Sequence, residues 1–155
     1  MPVITSLHTP NVHPPTRTPR AEWLSAIADG FGASPDLWQR RVRHDPDRRT
    51  WSLLLATPVY DAWVLGWAPG QGIAMHDHRG SAGAVRVVSG TLLEVYERDI
   101  GEPGLAARIL RAGTTVTFGW EYRHGITNVH GAAATSIHVY SPPLPDHAQA
   151  SSWMP

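Results

Sequence analysis

Two histidines separated by one residue are the feature of this sequence best suited to chemistry. They are His76 and His78, in the segment PGQGIAMHDHRGSAGAVRVVSG. If this segment is a strand, both side chains lie on one face, with their Cβ atoms about 7 Å apart. Two imidazoles placed in this way can bind one metal ion about 2.0–2.2 Å from each nitrogen. Because such pairs also occur in ordinary turns, the pair alone indicates a metal site only weakly.

A third histidine stands in a second spaced pattern farther along the chain. Glycines frame the first pair, and the second pattern runs from Gly113 to His124 and on to Asn128. The two patterns together resemble the paired motifs of the cupin superfamily, whose members are small β-barrels. The resemblance implies that His76, His78 and His124 bind one metal ion inside the barrel.

The chain departs from the usual cupin pattern at one ligand position. A glutamate usually follows the second histidine, and the corresponding residue here is Gly83. Three neutral imidazoles leave a divalent cation with its full charge and with open positions. Such a site attracts anionic ligands, a thiolate for example, and leaves room for O₂. Zinc with three histidines and a water would satisfy the same ligands, so the ligand count does not choose the metal.

The segment TSIHVYSPP near the C-terminus alternates polar and apolar residues. With the strand period of two, Ser136, His138 and Tyr140 share one face and the opposite face is largely apolar. A hydroxyl, an imidazole and a phenol in line can form a hydrogen-bonded relay. We interpret the apolar face as packed against covering helices, which directs the polar face into a metal-containing interior. The alternative is a strand whose polar face is exposed to solvent.

These segments together resemble the cysteine dioxygenase family of thiol dioxygenases. The resemblance covers about residues 38–145 and includes the first histidine segment, RHGITN, SIHVYSPPL and Trp67. It implies one Fe(II) per chain, held by the three histidines, and a small-molecule thiol and O₂ as substrates. It also implies that the polar residues of the last strand form a relay outside the metal ligands, with Tyr140 nearest the metal. Animal members carry a cysteine joined to that tyrosine, but this chain has Gly83 there and 0 cysteines, so no crosslink can form.

The residue that binds the substrate carboxylate is a second departure. The family usually has an arginine or a glutamine in a Tyr-x-Arg-like segment, and the ungapped match places Leu53 at that position. Leucine cannot bind a carboxylate, so a substrate preference altered from L-cysteine is one expectation. A shift in register would recruit Arg48 or Arg49 instead. We therefore expect Leu53, Gly83 and Trp67 in the substrate site, with Arg49 as the weaker candidate.

Two other functions remain open at this stage. One is a cupin that uses Zn, Mn or Ni for hydrolase or isomerase chemistry, and the other is a non-catalytic cupin that binds a small ligand. The polar face of the last strand favours the dioxygenase, whereas the missing carboxylate anchor keeps both alternatives open.

The rest of the chain predicts one mainly β domain. Short β-prone runs punctuated by Gly, Pro, Asp and Asn occupy about residues 50–141, a rhythm typical of an antiparallel barrel of the double-stranded β-helix or jelly-roll kind. The runs are TWSLLLA, DAWVLGWA, AGAVRVVSG, TLLEVYERD, ARILRAG, TTVTFG, HGITNVH and ATSIHVYS. Helix-start signals at Thr18 and Ser34 predict a helical section at about 18–46. We expect residues 1–17 to form an irregular arm, residues 18–155 a single domain, and residues 142–155 a tail that runs over the surface.

Composition argues against several classes of protein. The formal net charge is +0, from 13 basic and 13 acidic residues, so no basic surface is expected to bind nucleic acid or an anionic membrane. No apolar run approaches the roughly 20 residues that span a bilayer, and no secretory signal is visible. We therefore expect a cytoplasmic protein, and no protein partner can be inferred. His130, beside Gly131 in a predicted turn, is not expected to be a ligand.

Overall fold

The structure, a computed structural model, describes residues 19–98 and 103–145. Within these ranges the chain forms one α-helix, one short 3₁₀ helix and nine strands. The elements are α1 (Pro19–Gly32), the 3₁₀ helix (Pro35–Leu37), β1 (Thr50–Ala56), β2 (Asp61–Trp67), β3 (Gly72–His76), β4 (Ala82–Ser89), β5 (Thr91–Glu97), β6 (Leu105–Arg111), β7 (Thr115–Phe118), β8 (His124–Thr127) and β9 (Ala134–Ser141). No helix in the described part of the chain combines the length and apolar character needed to cross a bilayer.

The strands form two antiparallel sheets that face each other. One sheet has the order β1-β2-β9-β4-β7, and the other has the order β3-β8-β5-β6. A buried apolar cluster fills the space between them, with members from both sheets such as Leu65, Val85, Leu92 and Ile126. This arrangement confirms the predicted mainly β architecture.

The helix covers the outer face of the five-stranded sheet. Leu24 and Ala28 of α1 pack with Val64 of β2 and with Ile137 and Val139 of β9. Because side chains alternate along a strand, the other face of β9 is turned into the barrel. The predicted division of β9 into a helix-covered face and an interior face is therefore confirmed.

The second helix-start signal produces much less helix than predicted. Only the three residues Pro35–Leu37 are helical, and none of them is buried. Leu37 is 52% exposed, whereas Trp38 and Val42, which follow the short helix, pack against the apolar cluster beneath α1. The segment that follows is instead held by side-chain bonds, such as the one that Arg41 donates to the carbonyl oxygen of Leu53 over 2.8 Å.

The start of the predicted surface tail is not wholly on the surface. Leu144 is buried, and its backbone N–H donates to the carboxylate of Asp61 over 3.0 Å. The prediction is therefore wrong for Leu144, because a carboxylate at the start of β2 draws the chain back over the barrel. The predicted arm (residues 1–17) and the tail beyond residue 145 lie outside the described residues.

Candidate metal centre

Three histidines meet inside the barrel. His76 ends β3 and lies opposite His124, the first residue of β8, while His78 follows in the turn after β3. One ring nitrogen from each histidine lies within 4.8 Å of the other two. β3 ends at His76, and His78 lies in the loop that follows, just before the turn at Arg79 (φ 49°), so one strand does not run through both histidines as predicted.

The protonation state of His76 and His78 suits a cation. Burial, with a smaller contribution from neighbouring imidazoles, lowers the pKa of His76 to about 4 and that of His78 to about 2. The Nε2 atoms of His78 and His124 face each other over 3.2 Å. Ring nitrogens from three histidines converge on one point, which is the arrangement that a divalent cation requires. The side chains present therefore fit a metal ion.

A carboxylate that the sequence analysis missed lies behind His124. Glu94 on β5 is fully buried and accepts hydrogen bonds from Nδ1 of His124 over 2.7 Å and from Nε of Arg108 over 2.5 Å. Burial acts to raise the pKa of Glu94, but the bonds from His124 and Arg108 outweigh it and lower the pKa below its usual value. The sequence did contain a signal for this residue, because Glu94 lies on the same face of β5 as the apolar Leu92. A charged side chain on a buried face needs a partner, since burying an unpaired charge is costly.

The polar face of β9 forms a continuous chain of hydrogen bonds. Oγ of Ser136 lies 2.8 Å from Nε2 of His138, and Nδ1 of His138 lies 2.9 Å from the hydroxyl of Tyr140. The indole N–H of Trp67 donates to Oγ of Ser136 over 2.9 Å. The ring of Tyr140 stacks beside His78, with centroids 5.3 Å apart, so the chain ends next to the three histidines.

The direction of these hydrogen bonds follows from counting donors. Trp67 can only donate, so it fills one acceptor position of Ser136. The contacts described for Ser136 then leave its own proton one acceptor, which is Nε2 of His138. Nδ1 of His138 consequently carries the proton and donates to the oxygen of Tyr140. This arrangement leaves the Tyr140 O–H free to donate into the cavity.

The three histidines and the end of the relay line one small cavity. The space open to the centre of a water molecule is about 20 Å³, little more than one water requires. The cavity therefore suits a molecule of few heavy atoms. Its lining residues are Leu65, Trp67, Ile73, His76, His78, His124, Ile126, His138, Tyr140 and Leu144.

A buried arginine, Arg49, lies behind the cavity-lining residue Trp67 and does not itself line the cavity. Arg49 is 7% exposed, and its guanidinium lies over the ring of Trp67, 5.1 Å from the centroid. It donates to the carbonyl oxygen of Gly72, but among the described residues its Nε and one terminal nitrogen have no partner. Burial lowers the pKa of Arg49 to about 10, and Tyr140 acts in the opposite direction. Leu53 does not line the cavity and packs at the edge of the apolar core.

Gly83 has a packing role beside the histidines and does not line the cavity. A Cβ atom at this position would overlap the ring of Phe118. That ring stacks on His78 with centroids 4.4 Å apart. Phe118 therefore occupies the space into which a side chain at position 83 would extend, which accounts for the absence of the usual glutamate.

Comparison with known proteins identifies the relatives of the chain. A family model described as cysteine dioxygenase type I matches residues 18–152. Cysteine dioxygenase type 1 of Homo sapiens is 25% identical over 131 residues, and that of Bos taurus is 26% identical over 131 residues. Both matches cover 79% of this chain and 66% of the relative. The matched region thus spans slightly less than two thirds of these relatives' length.

Solved structures share the fold. A protein of Thermus thermophilus has a TM-score of 0.56 at 20% identity, covering 68% of this chain and 93% of its own. A conserved Klebsiella pneumoniae protein with a double-stranded β-helix domain has a TM-score of 0.55 at 25% identity, covering 67% and 85%. An RmlC-like cupin protein of Desulfovibrio desulfuricans has a TM-score of 0.54 at 19% identity, covering 65% and 89%. The predicted cupin fold is confirmed.

Proposed function

Because this chain belongs to the cysteine dioxygenase type I family, we propose that it is an Fe(II) thiol dioxygenase acting on a small thiol that carries a carboxylate. The observation that carries the proposal is one cavity lined by three convergent histidines and by Tyr140 at the end of its relay. A hydrolase or isomerase on the same fold has no evident use for that relay. Both atoms of O₂ end on sulfur, so a thiolate and O₂ give a sulfinate without a further reductant.

Fe(II) held by His76, His78 and His124 would supply a site that binds the thiolate and activates O₂. The protein contributes a neutral donor beside it. Burial raises the pKa of Tyr140, with Asp61 adding to the effect, so the phenol stays protonated. Its O–H can then hydrogen-bond to substrate or oxygen in a site that excludes water.

Arg49 is the proposed partner of the substrate carboxylate. Its guanidinium is buried beside Trp67 with two nitrogens that lack partners among the described residues. A buried cation of this kind is unfavourable without an anion, and a carboxylate can accept from two guanidinium nitrogens at once. The described cavity lining contains no carboxylate, so it favours an anionic ligand. This proposal replaces the expectation, based on Leu53, that the site has lost its carboxylate anchor.

The test combines metal analysis with O₂ uptake. Protein purified without added metal should contain iron, and it should consume O₂ with L-cysteine or 3-mercaptopropionate faster than with cysteamine, which lacks a carboxylate. The product should be the sulfinate. Zinc in place of iron, with no O₂ uptake on any of the three thiols, would contradict the proposal.

The neighbouring residues Arg48 and Arg49 allow a controlled test of the proposed carboxylate anchor. Arg49→Ala should lower kcat/KM on the two carboxylate-bearing thiols about 100-fold, since breaking a buried ion pair costs about 3 kcal/mol. The rate with cysteamine should change little. Arg48 has a side chain that is 83% exposed and pairs with Asp45, so Arg48→Ala should behave like wild type. Equal kcat/KM in the two variants would remove Arg49 from the site.

A further inference from the structure

The three candidate metal ligands are supported in three different ways. Nδ1 of His76 bonds to the carbonyl oxygen of Ala74 over 2.8 Å, which is a contact to its own strand. The ring of His78 stacks on Phe118 and on Tyr140. Among the described contacts of these histidines, His124 is the one held by a charged side chain, the carboxylate of Glu94. The ring orientation of His124 therefore depends on a separate residue 30 positions away in the chain.

Glu94 is held rigidly by groups other than His124. Arg108 lies opposite it in the register of β5 and β6 and forms an ion pair with Oε2 over 2.5 Å. The hydroxyl of Tyr122 donates to Oε1 over 3.1 Å, and Arg108 also reaches that hydroxyl over 3.2 Å. Both carboxylate oxygens are thus engaged, and the side chain has little freedom to rotate.

Stability alone does not explain a charged pair at this place. Glu94 is 0% exposed, whereas the side chain of Arg108 is 37% exposed, so the carboxylate bears most of the desolvation. Replacing buried ion pairs by apolar residues of similar size is often neutral or stabilising. A buried carboxylate on the interior face of a barrel strand therefore points to a requirement other than folding.

We propose that Glu94 is a positioning residue of the metal centre, which holds the Nδ1–H of His124 so that Nε2 is presented to the ion, with Arg108 and Tyr122 holding Glu94 in turn. An ionised carboxylate can only accept, so Nδ1 carries the proton and Nε2 the lone pair. The carboxylate also makes the imidazole a stronger ligand. The carboxylate missing from position 83 is thus replaced by one that acts through His124.

This proposal rests on the three-histidine metal site of the proposed function but not on the identity of the thiol. Its test is therefore metal binding, measured on Co(II)-loaded protein by chelator competition and by the visible absorption spectrum, which reports ligand geometry. Glu94→Gln keeps the size of the side chain and removes its charge. We expect affinity for Co(II) about 10–100-fold below that of wild type, the usual effect of removing such a partner, together with a changed spectrum.

The same strand offers a matched control. Glu97 on β5 pairs with Arg123 over 2.8 Å, and both side chains are more than 40% exposed. Glu97→Gln should bind Co(II) with wild-type affinity and spectrum. Glu94→Asp keeps the charge but withdraws the carboxylate by one methylene, and its affinity should fall between those of wild type and Glu94→Gln.

The outcomes separate this proposal from the proposed function. Wild-type affinity and spectrum in Glu94→Gln would overturn the positioning role, even if its melting temperature had fallen. If Glu94→Gln cannot be obtained folded, Glu94→Asp decides in the same way: weaker binding with a changed spectrum supports the role, and unchanged binding overturns it. Wild-type protein that binds Co(II) but oxidises no thiol when loaded with iron would contradict the proposed function alone.

Discussion

The two walls of the cavity come from different sheets and differ in their chemistry. The five-stranded sheet contributes a chain of neutral groups, which runs from Trp67 through Ser136 and His138 to Tyr140. The four-stranded sheet contributes His124 and, behind it, the ion pair of Glu94 with Arg108.

The difference shows how one small site can combine two requirements. A ligand has to present one nitrogen at all times, and a charged partner that can only accept enforces this. A donor facing the substrate has to give a proton or a hydrogen bond, and the neutral relay allows this because Ser136, His138 and Tyr140 can each both donate and accept. Burial lowers the pKa of His138 well below its usual value, which keeps the relay neutral.

The largest expected effect is the loss of metal when one of the three convergent histidines is removed. His78→Ala removes a proposed ligand, so most of the iron should be lost, which exceeds the about 10–100-fold weakening expected for a supporting residue. His130→Ala is the control, because His130 is exposed and bonds through its backbone N–H to Asn128. Iron content of the purified variants is the measurement. If His130→Ala loses iron and His78→Ala retains it, the ligand assignment is wrong.

In the relay on β9, Tyr140→Phe should lower turnover without changing the iron content. The ring and its stacking beside His78 remain, whereas the O–H that faces the cavity is lost. We expect turnover on the best thiol to fall about 10²–10³-fold, by analogy with the loss of an oxyanion donor. Steady-state O₂ uptake at matched iron content checks this. Tyr60→Phe, in a tyrosine that packs on Trp23, should retain wild-type turnover, and equal rates in both variants would exclude a chemical role for the phenol.

A smaller effect, on stability, is expected at Gly83, which packs against the ring of Phe118 beside His78. Gly83→Ala places a Cβ atom against the ring of Phe118 and 3.0 Å from the carbonyl oxygen of Val139. Overpacking of this kind typically costs about 1–3 kcal/mol, and the displaced ring should disturb His78. Urea unfolding measures the loss. Gly119→Ala, which has open space around the added Cβ, should unfold like wild type, and a harmless Gly83→Ala would show that Phe118 can move freely.

The smallest expected effect tests the direction of the relay. Trp67→Phe keeps a ring beside Arg49 but removes the indole N–H that bonds to Ser136. One hydrogen bond is worth about 1 kcal/mol, so kcat should fall about fivefold at unchanged iron content. Trp38→Phe loses a comparable indole bond, to the carbonyl oxygen of Phe31, outside the cavity. An equal loss of activity in the two variants would argue against a role for Trp67 in the relay.

The sequence alone predicted the elements and much of the site, because both depend on local periodicity. Each predicted β-run contains or closely overlaps a strand, and β1 spans the same residues, Thr50–Ala56, as the run TWSLLLA. The polar face of β9 follows directly from the period of two. The short segment β3 was not among these runs, although His76 at its end and His78 just beyond it were identified from their spacing.

The placement of Arg49, the proposed carboxylate anchor, was decided by the tertiary structure. Arg49 and Leu53 are an even number of residues apart, so strand periodicity puts both on the same face and cannot choose between them. The pairing of β1 with β2 makes the choice: Leu53 lies opposite Trp63, whereas Thr50 lies opposite Gly66. Arg49 therefore falls beside Trp67, which lines the cavity.

The support of the metal site likewise depends on contacts between distant residues. Glu94 meets His124 only because β5 pairs with β8, in a register that puts Glu94 opposite Ile126 and Tyr96 opposite His124. Such pairings bring together residues far apart in the chain, and no local propensity specifies them. The sequence by itself thus determined which side chains are available on the interior faces of the strands, and the pairing of the strands determined which of them meet.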